Sequence, residues 1–252
     1  SCKPVLPILL YSIKIFFGLQ SINFKISFLP LPTTRIVLYN KYPFSLLTNN
    51  REILKIKYMQ HFKRLFDIVL ALFGLCVLSW LLLIIIILMK YTKYKTAGDV
   101  FFKQMRVGQH GKTFMIHKFR TMYVHSENAS SLQITTSSDD RITKLGASLR
   151  KFKLDELPQL INVVNGSMSL VGPRPEVRKY VNLYSSEQKN VLLAKPGITD
   201  YASIEYADEN NLLAASSDPE KTYIDEIMPA KLKLNMKYIA EQGVITDVKI
   251  IF

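Results

Sequence analysis

The sequence predicts an α+β fold, mainly helical, with an N-terminal membrane-embedded helix, interfacial amphipathic helices and a small β-hairpin gathered around a polar cleft. Three observations predict it. Ile68 to Met89 is a run of 22 residues without a formal charge, and at the helical rise it extends roughly 33 Å, enough to cross a hydrocarbon core. Two apolar runs split by Gly108-Gln-His-Gly111 read as a hairpin, with strands near Val100 to Val107 and Thr113 to Phe119. Thr222 to Ile239 alternates apolar and basic residues at near-helical spacing. The 252-residue chain divides into an N-terminal extension (1–58), a membrane-anchoring helix (59–95) and a C-terminal part (96–252) expected to carry the chemistry.

In chain order, the extension comes first. Val5 to Leu19 is largely apolar but broken by Lys14 and lacks the basic start and small-residue cleavage site of a secretory signal. Met59-Gln-His-Phe-Lys-Arg resembles a natural start for a basic-then-apolar anchor, so the first 58 residues are expected to be dispensable. Lys57, Lys63 and Arg64 precede the apolar run, and Lys90, Lys93 and Lys95 follow it. Equal basic flanks leave the orientation of a span undecided. They suit a re-entrant helix that enters the bilayer, bends and leaves by the same face. Gly74 and Ser79 are the weak points for such a bend; a straight span is the alternative, since no proline interrupts the run.

On the hairpin, Arg106, Lys118 and Arg120 can face a shared cleft or solvent. Residues 126–140 have the composition of a mobile loop that could act as a lid. Arg141 to Lys151 reads as a helix with Leu145 and Leu149 on one side. The segment from Thr222 to Ile239 fits either a helix on a membrane surface or a packing helix with a solvated basic face.

The formal charge of +13 points to an anionic partner. Eight Lys or Arg against Glu52 alone put +7 in residues 1–58, and the other 25 basic and 19 acidic residues leave +6. The aromatics sit inside apolar segments rather than between exposed cations, and no nucleic-acid module is present, so nucleic acid is excluded in favour of a membrane surface. Cys2 and Cys76 have no companion at metal spacing. His61, His110, His117 and His125 form no ligand-like group and are read as non-catalytic. The pattern sets no oligomeric state.

The chemistry concentrates in Lys153-Leu-Asp155-Glu156-Leu-Pro158-Gln159 and Gly166-Ser-Met-Ser-Leu-Val-Gly172-Pro173-Arg174-Pro175-Glu176. Two adjacent carboxylates stand among the cations Arg150, Lys151, Lys153 and Arg174. Phosphoryl transfer from a nucleotide-linked substrate needs such a set: one carboxylate to attack phosphorus, one to hold a divalent metal, and fixed positive charge for the phosphates. Pro158 suits a helix's first turn, where the dipole would keep Asp155 ionised. A plain N-cap role for Asp155 is the alternative. The two prolines around Arg174 stiffen its backbone, which favours bidentate contact with a phosphate over a merely exposed turn.

These segments resemble the bacterial sugar transferases known as monotopic phosphoglycosyl transferases. The resemblance runs from about Met59 to about Ile239. It rests on Lys63-Arg64-Leu-Phe-Asp67, Phe102-Lys-Gln104-Met-Arg106-Val-Gly108, Lys118-Phe-Arg120-Thr-Met122, Asp140-Arg141-Ile-Thr-Lys-Leu-Gly146, Leu154-Asp155-Glu156-Leu-Pro158-Gln159, Ser169-Leu-Val-Gly172-Pro173-Arg174-Pro175-Glu176 and Lys195-Pro196-Gly197-Ile-Thr199. It implies transfer of a phosphosugar from a UDP-sugar to polyprenyl (undecaprenyl) phosphate with release of UMP. That is the first membrane step of exopolysaccharide, capsule, O-antigen or glycoprotein glycan assembly, at the cytoplasmic face of the bacterial inner membrane.

By the same resemblance, Asp155 would form a covalent phosphosugar ester and Glu156 would bind Mg²⁺. Arg120, Arg150 and Arg174 would contact phosphate, with Lys118 and Arg106 as further substrate-binding candidates, and Glu176 would position an arginine or the substrate. The chain departs from the family in four places. Trp80 follows Ser79 where relatives have proline, Asp99 follows Gly98 and Lys153 precedes Leu154, and the segment after Thr199 reads Asp200-Tyr-Ala-Ser-Ile-Glu205-Tyr, a region that would bear on sugar choice. Two rivals stand beside this reading: a membrane-tethered, non-catalytic scaffold for anionic lipids or glycans, and direct attack by the lipid phosphate with Asp155 only a metal ligand.

Overall fold

The computed structural model describes residues 50–91, 98–123 and 139–252, with side chains from Gln60 onward in the first of these. The expected interfacial segment near Val5, most of the expected lid at 126–140, Cys2, His125, Lys93 and Lys95 lie outside the described residues.

Helix α1 runs unbroken from Asn50 to Tyr91, 42 residues. It begins nine residues before Met59, so no change of secondary structure marks the boundary drawn at 58. The hydrogen-bonded helix also continues through Gly74 and Ser79, the expected weak points; the Ser79 hydroxyl donates to the Cys76 carbonyl at 2.8 Å. Asp67, Ala71, Gly74, Leu78, Ile85 and Met89 are buried, and their spacing by fours, one three and one seven places them on a single stripe. The stripe meets protein along its whole length. Ala71 packs with Leu160, Val163 and Met168, and Ile85 and Met89 pack with Phe119 and Leu149. The other faces expose Val69, Leu72, Trp80, Leu83, Ile84, Ile87 and Leu88. Gln60–Tyr91 is long and apolar enough to cross a membrane by length and composition, and 22% of its most apolar window is buried in the protein.

The hairpin forms as its sequence predicts, with β1 (Phe101–Val107) antiparallel to β2 (Thr113–Phe119). His110 and Gly111 take positive φ in the connecting turn, which only the glycine adopts freely. The register pairs Phe102 with Lys118 and Arg106 with Phe114, so Arg106 and Lys118 share one face. Helix α2 (Lys144–Lys151) is shorter than the expected Arg141–Lys151. Ile142 bridges to Met122, and the Thr143 hydroxyl oxygen accepts from Gly146 N at 2.9 Å as the N-cap.

A 3₁₀ turn (Leu154–Glu156) leads to α3 (Gln159–Val164), then β3 (Ser169–Val171). Strand β3 pairs in parallel with β4 (Gly197–Thr199). Here two glycine motifs meet: a Cβ on Gly172 would lie 2.4 Å from Lys195 O, and one on Gly197 2.1 Å from Gly172 N. The Gly172-Pro173 and Pro196-Gly197 segments are thus two halves of one backbone crossing.

The remaining helices are α4 (Arg178–Val181), α5 (Tyr201–Glu205), α6 (Glu209–Ala214), α7 (Pro219–Thr222), α8 (Met228–Glu241) and α9 (Val244–Ile251). A π-helical turn, Tyr223–Ile227, joins α7 to α8. Pro229 has no N–H to give to the carbonyl four residues back, which accounts for the widened turn just upstream. The alternatives left open for residues 222–239 resolve towards packing: Met228, Leu232 and Tyr238 are buried in the core, with Lys233 and Lys237 exposed. Lys231, also read as part of a basic face, is instead buried.

Candidate active site

The dyad is placed by a tight reversal. Helix α2 ends at Lys151, and Lys153 takes a left-handed conformation (φ 56°, ψ 20°) that turns the chain into the Leu154–Glu156 turn. Asp155 and Glu156 are both buried there. Neither caps α3: Pro158 precedes that helix with no side-chain cap bond. The N-cap alternative for Asp155 therefore fails.

Both carboxylates line a cleft of about 620 Å³. Arg174 places Nη1 at 3.3 Å from Glu156 Oε2 and pairs through Nη2 with Glu156 Oε1. Lys118 Nζ donates to the same Oε1 at 2.8 Å. Asp155 differs. Its Oδ1 is buried without a hydrogen-bond partner among the described residues.

The two acids are driven apart electrostatically. Burial pushes the Asp155 carboxyl up from its ordinary value and the Glu156 charge adds to this, against Lys118, Arg150 and Lys153. The dipole argument had it stabilised as the anion; removal from water outweighs that. Burial also works to raise Glu156, but Arg174 and Lys118 outweigh it and hold the carboxyl well below the usual range. The Arg174 guanidinium is raised in return, chiefly by Glu156. Burial lowers Lys118, against the pull of Glu156.

Of the other sequence candidates, Arg106, Arg150 and Glu176 also line the cleft. Arg150 Nε donates to the Thr121 hydroxyl at 2.7 Å. Arg106 bonds the Gln104 side chain and the Pro175 carbonyl and lies 3.7 Å from Glu176 Oε2. Glu176 thus pairs with Arg106 and accepts from the Tyr223 hydroxyl. Arg120 is placed elsewhere: it donates to Asp99 O at 2.7 Å, covers the Phe102 ring and does not line the cleft. Lys151 likewise sits over Phe152, away from the lining.

Sequence reasoning missed Tyr223, Glu209, Asn210 and Lys231, which line the cleft more than fifty residues beyond the dyad. Their signal was the Asp208-Glu209-Asn210-Asn211 run at the start of α6 and the π turn before Pro229, neither with a motif of its own. From α1, α9 and the terminal Phe252 comes an apolar flank to the same cleft: Phe66, Leu70, Phe73, Val248, Ile251 and Phe252.

The donor set was tested for Mg²⁺. Among the described residues no three His, Cys, Asp or Glu converge as a ready-made metal site. Mg²⁺ needs fewer, being held by one or two carboxylates with substrate phosphates completing its shell. Glu156 fits: it is held ionised, it lines the cleft, and among the described residues its Oε2 receives the 3.3 Å contact from Arg174 alone.

The cleft thus sets six cations and four acids, one of them with an unpartnered oxygen, beside an apolar flank. The chain belongs to the bacterial sugar transferase family, whose pattern it matches over residues 58–252. It is 44% identical over 142 residues to the uncharacterized sugar transferase EpsL of Bacillus subtilis, covering 56% of this chain and 67% of that protein. It is 38% identical over 193 residues to the UDP-glucose:undecaprenyl-phosphate glucose-1-phosphate transferase of Escherichia coli, covering 75% of this chain and 38% of that one. A UDP-N-acetylgalactosamine-undecaprenyl-phosphate N-acetylgalactosaminephosphotransferase of Aeromonas hydrophila is 34% identical over 193 residues, covering 75% of this chain and 42% of that protein. The match therefore spans well under half the length of these two.

Proposed function

We propose that the protein transfers a phosphosugar from a UDP-sugar to a polyprenyl phosphate such as undecaprenyl phosphate, releasing UMP and initiating glycan assembly. The observation that carries this is Asp155 Oδ1, a buried carboxylate oxygen lining the cleft without a hydrogen-bond partner among the described residues. Most buried structural oxygens are bonded, and of the few here that are not, this one is the carboxylate facing the cleft cations. One left bare beside fixed cations is suited to attack. Its raised basicity also strengthens the anion as a nucleophile.

In the first step an Asp155 oxygen bonds to the sugar-bearing phosphorus, and the bond from that phosphorus to the bridging oxygen breaks, so UMP leaves with the electron pair. In the second, a polyprenyl phosphate oxygen attacks the same phosphorus and the bond to Asp155 breaks, restoring the carboxylate. Lys118, Arg150 and Arg174 hold the phosphate oxygens while charge shifts. Glu156 would hold Mg²⁺, which would supply Lewis-acid charge to offset the negative charge developing on the phosphates.

The membrane arrangement follows from the stripe on α1. Residues 71 and 89 are separated by roughly 27 Å of helix, and both pack against the same globular part. A bilayer-spanning α1 would drag the neighbouring α2, with Lys144, Arg150 and Lys151, into hydrocarbon. We infer that α1 stays in one leaflet, its outer faces in lipid, on the cytoplasmic side of the inner membrane where UDP-sugars are made. This gives the one-sided membrane attachment expected of a re-entrant helix without requiring a break. It also holds Asp155 at the depth of a lipid phosphate.

Asp155→Asn decides among the readings. Purified protein in nanodiscs, incubated with a panel of UDP-sugars and Mg²⁺, should release UMP and gain the mass of a phosphosugar before acceptor is added, and the variant should do neither. A wild type that turns over without any adduct would favour direct attack by the lipid phosphate. No turnover with any sugar, and lipid binding unchanged in the variant, would favour a scaffold.

A further inference from the structure

The cleft is electrostatically divided. Around the dyad, Lys118, Arg150, Lys153 and Arg174 face Asp155 and Glu156, an excess of positive charge suited to a diphosphate. Beyond Arg174 the lining continues through Glu176, Arg106, Tyr223, Glu209, Lys231 and Asn210. Here charges cancel: Arg106 lies 3.7 Å from Glu176 and Lys231 3.0 Å from Glu209. The Lys231 ammonium also sits 5.5 Å from the Tyr223 ring centroid. Arg174 joins the halves, since Glu156 and, more weakly, Glu209 are both among the charges raising it.

Resting on the phosphosugar-transfer reading, we propose that this balanced half is the sugar subsite, and that it selects an uncharged hexose over an acidic one. Carboxylates accept strongly from hydroxyl pairs, and the ammonium and amide donate to hydroxyl or N-acyl oxygens. With Arg106 and Lys231 each already matched by an acid, a uronate carboxylate arriving here finds no spare cation and adds a repulsion. Glu209 and Asn210, on α6 outside every motif of the family resemblance, are then the specificity-determining residues. The acid does the excluding.

The test measures binding as well as turnover. Calorimetry on Asp155→Asn protein, which cannot react, compares UMP, a neutral UDP-hexose and UDP-glucuronate, with and without Glu209→Gln. The expected result is a uronate-to-hexose affinity ratio that rises about tenfold or more in the Gln variant, with UMP affinity within about twofold. Asn210→Ala, at an exposed position where folding is not at stake, should weaken hexose binding and leave UMP alone. Equal losses for UMP and UDP-hexose would make this half the nucleoside site and overturn the proposal, as would an unchanged ratio in both variants. These ratios stand apart from catalysis: absent UMP release by wild type would sink the transferase reading, whereas an unmoved ratio sinks only the subsite.

Discussion

Glu156 lies between Arg174 and Lys118, while Asp155, one residue earlier, keeps a bare oxygen, and the two acids should answer pH in opposite senses. The depressed Glu156 group stabilises the fold above its unfolded value of about 4.3 and loses that contribution as pH falls through its folded value. Asp155, raised, favours the fold below about 3.9 and loses that contribution as pH climbs through its folded value. At neutral pH, Asp155→Asn should therefore raise the melting temperature, by about 1 kcal/mol of stability, while abolishing adduct formation. Glu156→Gln should do the reverse, costing about 1 to 2 kcal/mol because it strands two half-buried cations; thermal melts of the two variants check both. For the wild type, kcat/KM should rise along an acid limb whose midpoint lies above the ordinary aspartate value of about 4. Lys153 offers a separate gain. Its left-handed backbone suits Asn or Gly, so Lys153→Asn should stabilise the turn by about 0.5 to 1 kcal/mol in a denaturant titration.

The crossing of β3 and β4 and the seam along α1 are the elements that fix the dyad's surroundings. Asp67 on α1 accepts from the Ser169 hydroxyl at 2.7 Å and from Leu170 N at 3.2 Å. Lys63 pairs with Asp247, which also accepts from the Tyr238 hydroxyl at 2.8 Å. The Lys63-Arg64-Leu-Phe-Asp67 motif is thus a clasp between α1 and β3, the strand that leads into Arg174. Gly197→Ala should be worse than a typical core change, losing more than about 3 kcal/mol and displacing Arg174, because the added methyl would lie 2.1 Å from Gly172 N; loss of both the folding transition and UMP release would verify it. Such elements explain what was legible beforehand. The hairpin announced itself by alternation and a glycine turn, and the dyad by rare neighbouring acids. Arg120 misled because strand parity placed it with Arg106 and Lys118, yet β2 ends at Phe119 and the side chain turns to Asp99. Glu209, Asn210 and Lys231 could not be read out because only the packing of α6 against α8 brings them together, through the Lys231 to Glu209 pair.

On the scale of the whole molecule, charge and apolar surface point the same way. The overall +13 and the bare outer faces of α1 together predict binding to anionic vesicles that weakens with salt yet is not abolished by it; flotation across a salt series reads the two parts separately. The run Ile68 to Met89 announced a membrane helix in the sequence, but its composition could not tell a span from a one-leaflet helix. The one-leaflet placement proposed above rests instead on the buried stripe, which depends on what the rest of the chain folds against it. The stripe has a practical corollary for anyone handling the protein. Ala71, Ile85 and Met89 close over Leu160, Val163, Met168, Phe119 and Leu149, so clipping the anchor off would unroof the globular half rather than liberate it. Working enzyme has to be drawn out of its bilayer intact with detergent or polymer, and a shortened, water-soluble version should come out of cells as inclusion bodies.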